Sequence, residues 1–285
     1  MLSSYLINVI KSLIFGLIEG ITEWLPVSST GHLIIAEKFL HFKGISPNFF
    51  DMFLVVIQLG AILAVVIMFW NKLCPVRKAV INDRGQTALK IRPGIINLWI
   101  KVIVGCIPAG ILGVIFDDLL DKYLYNYKTV AITLIVYGVL FIVVEAYNKR
   151  RPPRIRKLTK LTFKDALIMG AFQALALIPG TSRSGATILG GISFGCSRRV
   201  ASEFSFFLAI PVMLGASALK IIKFGFHFSA MELVILIDGM IAAFAISLLA
   251  IRLMMNYIKK HNFSLFGVYR IILGIIVLLV FKGAK

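Results

Sequence analysis

Two acids, Glu19 and Glu23, sit four residues apart in an otherwise apolar stretch, so both side chains lie on one face of a helix. Carboxylates that close repel in a low-dielectric setting, and neither is cheap to bury charged. They can share a proton, bind a divalent cation or face a cationic group, and their oxygens suit Mg2+ or Ca2+. Packing against lysines at a helix contact is the plainer alternative. Pro26 then interrupts the helix, and Ser28, Ser29, Thr30 and Gly31-His32 follow. Hydroxyls and free N–H groups at the start of a new helix form an anion cradle, and a hydroxyl becomes a nucleophile where a base is in reach. His32 is the histidine beside this break, and it can act as general base, general acid or phosphate donor. Ser28 or Ser29 can equally be an ordinary N-cap.

A second run, Pro179-Gly180-Thr181-Ser182-Arg183-Ser184-Gly185-Ala186-Thr187, is rich in donors. Glycines permit close backbone approach, hydroxyls donate, and Arg183 offers a planar fork matched to two phosphate oxygens. Arg183 can also serve simply to neutralise Glu19 or Glu23. The two runs are related: at an offset of 154, Gly16 falls on Gly170, Glu19 on Gln173, Ser28 on Ser182, Ser29 on Arg183 and Gly31 on Gly185. The acidic run suits metal or base chemistry and the arginine run suits phosphate, an asymmetry that favours a catalyst over a symmetric carrier. Further along, Arg270 after Tyr269 either lines a cavity or anchors at an interface. Glu145, Glu203 and Asp238 are near-buried, and Trp24 is a candidate to line the path of a lipid chain.

These residues need elements to hold them. The chain of 285 residues is 59% hydrophobic and 15% charged, with a mean hydropathy of +0.92. That excludes an ordinary soluble domain, which carries about 25% charged residues. Six stretches, about 50–70, 97–116, 127–147, 201–223, 231–255 and 266–281, are long enough to cross a bilayer. Two more, 5–41 and 162–198, are apolar but broken near their middles by the two runs above. Broken backbone at membrane depth is tolerable only against protein or a wet cavity. Each half then reads as one re-entrant broken-helix hairpin followed by three transmembrane helices. Three crossings per half is odd, so the second half should be inverted relative to the first. The expected architecture is an all-α polytopic single membrane domain over 1–285, with inverted-topology repeats at about 1–147 and 162–281 joined by a basic linker, 148–161. Eight or ten full crossings are the alternative.

The net charge of +18 is gathered in short segments between apolar runs. Loop 71–96 carries Lys72, Arg77, Lys78, Arg84, Lys90 and Arg92 against Asp83, the linker is strongly basic, and Lys259 and Lys260 mark a third loop. Such segments belong on the cytoplasmic side beside anionic lipid, and no nucleic-acid partner is indicated. Asp117, Asp118 and Asp121 face out, whereas Lys220 and Lys223 fit this pattern less well. Cys74, Cys106 and Cys196 have no ligand spacing. The first 18 residues read as mature protein rather than a removable signal.

Glu19-Gly-Ile-Thr-Glu23-Trp-Leu-Pro-Val-Ser-Ser-Thr-Gly-His32 and Pro179-Gly-Thr-Ser-Arg-Ser-Gly-Ala-Thr187 closely resemble the two signatures of bacterial undecaprenyl-diphosphate phosphatases of the bacitracin-resistance type. The resemblance implies an enzyme of the bacterial plasma membrane, with its site open to the outer side. It would hydrolyse undecaprenyl diphosphate to undecaprenyl phosphate and inorganic phosphate, recycling the lipid carrier for the cell wall. It further implies dependence on a divalent cation, Mg2+ or Ca2+, held by Glu19 and Glu23. Carried over by motif position, Glu19, Glu23, Ser29, His32 and Arg183 resemble the catalytic set. Ser182, Ser184 and Thr187 would support the diphosphate, and Ser28, Thr30 and Gln173 complete the candidate substrate-binding residues. Undecaprenyl diphosphate and membrane lipid are the implied partners. A homodimer is compatible with this reading, and no obligate protein partner is indicated. The rival is a transporter or flippase for phosphate or a polyprenyl phosphate lipid, since inverted repeats with broken helices also build alternating-access carriers.

Overall fold

The computed structural model describes residues 2–80 and 87–282, so Asp83 and Arg84 lie outside the described residues. Asp117, Asp118 and Asp121 are described only as helical backbone. Apolar runs give the helices, and polar caps or prolines set their ends. In chain order they are α1 (Leu2–Thr22), α2 (Ser29–Phe39), α3 (Phe49–Val56), α4 (Gln58–Met68), α5 (Trp70–Leu73), α6 (Pro93–Leu124), α7 (Tyr127–Asn148), α8 (Phe163–Ala174), α9 (Arg183–Ser193), α10 (Arg198–Phe224), α11 (Ala230–Tyr257) and α12 (Ser264–Val280). Asn126, Ser197 and Ser229 cap α7, α10 and α11 through their side chains, while Thr162 and Asp165 close a capping box on α8.

Six segments are long and apolar enough to cross a membrane: Tyr5–Thr22, Phe49–Met68, Pro93–Phe116, Tyr127–Asn148, Arg198–Phe224 and Ala230–Tyr257. Outward-facing Ile103, Ile107, Ile111 and Val114 give α6 an exposed apolar face of the kind that lies against lipid. Five of the expected crossings are among these six. The remaining one, α12, has 17 residues and reaches about 26 Å at 1.5 Å per residue. Conversely α1, expected as half of a hairpin, has 21 residues and is long enough to span by itself. Its polar residues lower the hydropathy without shortening the helix. By contrast α2, α8 and α9, at 11, 12 and 11 residues, are each too short to cross.

One element departs from an all-α reading. Loop 71–96 folds back as an antiparallel ribbon, β1 (Val76–Val80) against β2 (Thr87–Ile91), with Val76 opposite Ile91 and Lys78 opposite Leu89. β-branched residues stand at both ends of each strand, Val76 and Val80 in one and Thr87 and Ile91 in the other, and favour an extended backbone. The basic linker is also ordered: Ile155 bonds Gly195 and Ser197 through its backbone, forming a bridge to Cys196. Burial, with Asp165 nearby, pushes the Cys196 thiol up to about 12, so it stays protonated.

Helix pairing is regular. α1 packs on α11, α8 on α6, and α7 on α12. Small residues permit close approach. A Cβ on Gly16 would stand 2.4 Å from the Gly239 carbonyl oxygen, and one on Gly170 would stand 1.9 Å from that of Gly105. Glu145 on α7 holds Arg198 through two bonds of 2.8 and 2.5 Å and accepts the Phe263 N–H, so this acid clamps helix ends. Glu203 pairs with Lys72 and Arg199, and Asp238 accepts from Ser12 at 2.5 Å.

Candidate active site

The two broken runs meet inside the bundle. In the first, Pro26 offers no N–H, α1 ends at Thr22, and a turn delivers the chain to Ser28. Ser28 has φ +75°, and its hydroxyl caps α2 by accepting the Gly31 N–H at 3.3 Å. In the second, Ser182 has φ +70° and caps α9 by accepting the Gly185 N–H at 3.1 Å. Two positive-φ serines in matching places are uncommon backbone that persists where surroundings enforce it. Capping, one of the two readings open for Ser28, is thus realised.

Glu23 is the centre of the cluster. Its Oε2 accepts the Ser29 hydroxyl at 2.8 Å, and its Oε1 accepts Arg183 Nε at 3.1 Å. Arg183 Nη2 also lies 3.1 Å from Oε1, but out of line, so that buried N–H group has no hydrogen bond among the described residues. Arg183 Nη1 donates to the Ser205 carbonyl at 2.8 Å, and the guanidinium lies 5.6 Å from the Trp24 ring centroid. Ser184 Oγ donates to the Glu23 carbonyl at 2.9 Å, tying one break to the other. The Glu23 carboxylate therefore binds a residue 160 positions away, with an aligned hydroxyl on one side and a spare guanidinium donor on the other.

Other expected residues fall around it in different ways. Glu19 is fully buried, and neither of its oxygens has a hydrogen-bond partner among the described residues. The same holds for both amide atoms of Gln173, its counterpart in the offset alignment. Thr181, Ser202 and Ser205 add buried hydroxyls without hydrogen-bond partners among the described residues, more polar atoms than the interior there satisfies. Thr187 donates to the Arg183 carbonyl within its own helix, and Thr30, half-buried, makes no hydrogen bond among the described residues. His32 is not placed on Ser29. Its Nδ1 faces the Ser28 carbonyl at 2.7 Å, which makes that nitrogen the donor, and its Nε2 faces the Tyr269 hydroxyl at 2.7 Å. The group that reaches Ser29 is Glu23. Ser29 opens α2 and points back toward the end of α1, whereas the His32 ring is turned toward α12.

Arg270 was legible only as a cavity or interface residue, and the structure gives it a definite place. It is fully buried and donates to the carbonyls of Pro26 at 3.3 Å, Gly180 at 3.0 Å and Thr181 at 2.9 Å. One cation thus holds both broken runs through three backbone oxygens. Gly180 fits there with φ +86°, since a Cβ would stand 2.2 Å from Thr133 Oγ1. An apolar groove of about 430 Å3, walled by Ile21, Leu25, Val27, Leu265 and Phe266, is lined on its polar side by Thr22, His32 and Tyr269.

The Glu19 carboxylate, orphaned beside Glu23, is a donor set that a hard divalent cation fits, completed by water and phosphate oxygens. Among the described residues no group of three or more His, Cys, Asp or Glu could hold a metal ion.

Fold and cluster together define a polytopic α-helical membrane protein with its polar residues converged at the meeting point of two broken helical runs. Residues 12–276 match the family described as bacitracin resistance protein BacA, and the chain belongs to that family. It is 57% identical over 280 residues to an undecaprenyl-diphosphatase of Acetivibrio thermocellus, covering 98% of this chain and 100% of that one. It is also 53% identical to an undecaprenyl-diphosphatase of Desulfitobacterium hafniense, covering 98% of both. A third, from Enterococcus faecalis, is 52% identical, covering 96% of this chain and 97% of that one.

Proposed function

We propose that the cluster around Glu23 is the catalytic centre of a membrane phosphatase. The chain hydrolyses undecaprenyl diphosphate to undecaprenyl phosphate and inorganic phosphate, which returns the lipid carrier to cell-wall synthesis. The observation that carries the site is the Glu23 carboxylate held between the Ser29 hydroxyl and the Arg183 guanidinium.

The isoprenoid tail lies along the apolar groove, and the diphosphate passes His32 and Tyr269 into the cluster. Arg183 turns its spare Nη2 donor to a terminal phosphate oxygen. That donor is already in place, so neutralising the transferring group needs little reorganisation. Glu23 Oε2 takes the proton of the attacking oxygen, which is the Ser29 hydroxyl or a water in its place. The bond from the terminal phosphorus to the bridging oxygen breaks, and undecaprenyl phosphate leaves. If Ser29 attacks, water then releases its phosphoryl group. Glu19 and Glu23 would hold a divalent cation, which would supply positive charge to the phosphate oxygens. His32 keeps its Nδ1 proton on the Ser28 carbonyl and fixes the mouth of the groove. Ser28 and Ser182 set the two cradles, while Ser184 and Arg270 hold them together.

The same reading extends to topology. Matching caps at Ser28 and Ser182, the matching pairs α1–α11 and α8–α6, and short α2, α8 and α9 support two inverted-topology repeats within one membrane domain. In it, 71–96, 148–161 and the loop after α11 lie on the cytoplasmic side, and the site opens outward. The divergence of Glu19 from Gln173 and Ser29 from Arg183 favours turnover over symmetric carriage.

The test is inorganic phosphate release from undecaprenyl diphosphate by the purified protein, with and without EDTA, beside folded Glu23→Gln and Arg183→Ala variants. Release by the parent that EDTA suppresses and both variants lose is expected. No release by folded parent across several divalent ions would sink the reading.

A further inference from the structure

A second cavity, of about 680 Å3, opens between the start of α6, the basic linker and the start of α10. Six cations line it, Lys72, Arg92, Lys101, Arg156, Lys157 and Arg199, against one acid, Glu203. That acid is already shared by Lys72 at 2.6 Å and Arg199 at 2.9 Å. Arg92 and Arg156 donate to the carbonyls of Asn71 and Pro153, which satisfies hydrogen bonds but cancels no charge.

Lys101 is the informative member. It is 7% exposed, lies inside the spanning segment Pro93–Phe116, and makes no hydrogen bond or ion pair among the described residues. Its ammonium lies over the Phe163 ring, 5.5 Å from the centroid. A lysine at that depth without an anion is costly and points to a ligand path or site. Gly94, Asn97, Leu98 and Lys101 follow i, i+3, i+4, i+7 spacing, so one face of α6 lines the cavity. Arg92 gives α6 no side-chain cap, and the positive end of this 32-residue helix opens onto the same space. A basic face that merely obeys the membrane charge rule would keep its cations in solvent and would not bury one beneath a cavity.

We propose that this cavity binds a phosphate group on the cytoplasmic face, separate from the catalytic cluster. Lys101 meets the phosphate at the bottom, with Arg156 and Lys157 closing over it from the linker. The shared chemistry is that of an anionic lipid headgroup or free phosphate. The apolar wall of Ile95, Leu98 and Val200 suits the glycerol and first methylenes of a lipid.

The test measures Tm of the purified full-length protein with dioctanoyl phosphatidylglycerol and, separately, with inorganic phosphate. Parent, Lys101→Gln, the exposed pair Arg156→Gln with Lys157→Gln, and Arg183→Ala are compared. A rise of about 5 °C at hundredfold excess over Kd is expected in the parent and in Arg183→Ala, with most of it lost in both cavity variants. The linker pair carries the test if Lys101→Gln does not fold. A rise with the lipid alone assigns a headgroup site, and a rise with both probes assigns the phosphate group itself. Equal rises in parent and cavity variants, loss of the rise in Arg183→Ala, or no rise with either probe overturns the proposal.

Discussion

The two broken runs share one backbone solution and differ in what they place on it. Ser28 and Ser182 have nearly the same φ, +75° and +70°, and each caps its helix on the glycine three residues ahead. The next position carries Ser29 in the first run and Arg183 in the second, and both side chains converge on Glu23. Two matching backbone turns thus carry different side chains, an acid and a hydroxyl in the first run and a cation in the second. Glu19 and Gln173 show the same division: both are buried without hydrogen-bond partners among the described residues, but only one is an acid.

The largest effect should come from removing the residue that both halves share. Glu23→Gln loses the proton acceptor and the countercharge of Arg183, and phosphate release should fall by about 10³-fold or more. Retained turnover would break the comparison at its centre. Glu19→Gln gives both runs an amide at this position. Release should fall by roughly 10²-fold, with a weaker response to added divalent ion, and an unchanged metal titration would refute its role as a ligand. Arg270→Met strips the link common to both cradles and leaves three buried carbonyls without their donor, at about 1–3 kcal/mol each. Tm should drop by several degrees, together with a loss of activity of about tenfold. Gln173→Ala, on the non-acidic side, should change turnover by only about threefold. A loss as large as that of Glu19→Gln would show that the halves are chemically less divided than their residues suggest.

Much of this arrangement was legible beforehand because it is local. The breaks announce themselves through Pro26 and Pro179-Gly180, the span lengths follow from apolar runs, and Glu19 and Glu23 share a face by spacing alone. The pairing of Arg183 with a glutamate was one of two open readings, and the structure realises it without exhausting the guanidinium. Features set by distant partners were not legible. Arg270 reads as an ordinary arginine until the carbonyls of Pro26, Gly180 and Thr181 converge on it. Spacing puts His32 close to Ser29 in sequence, but the Ser28 carbonyl and Tyr269 turn its ring away. Lys101 vanished into an apolar run, and the β1–β2 ribbon was masked by its cations.

The contact between α1 and α11 also bears on how the protein is made. Residues Gly16 and Gly239 meet backbone to backbone, yet α11 begins roughly two hundred residues after α1 ends. At about 5–20 residues per second of synthesis, α1 waits on the order of 10–40 s for the helix that covers it. For most of that interval Glu19 and Glu23 have neither their helical neighbour nor Arg183, which follows Glu23 by 160 residues. The nascent first segment must therefore stay near the aqueous boundary or inside the insertion machinery, and it can seat only when the last third of the chain has emerged.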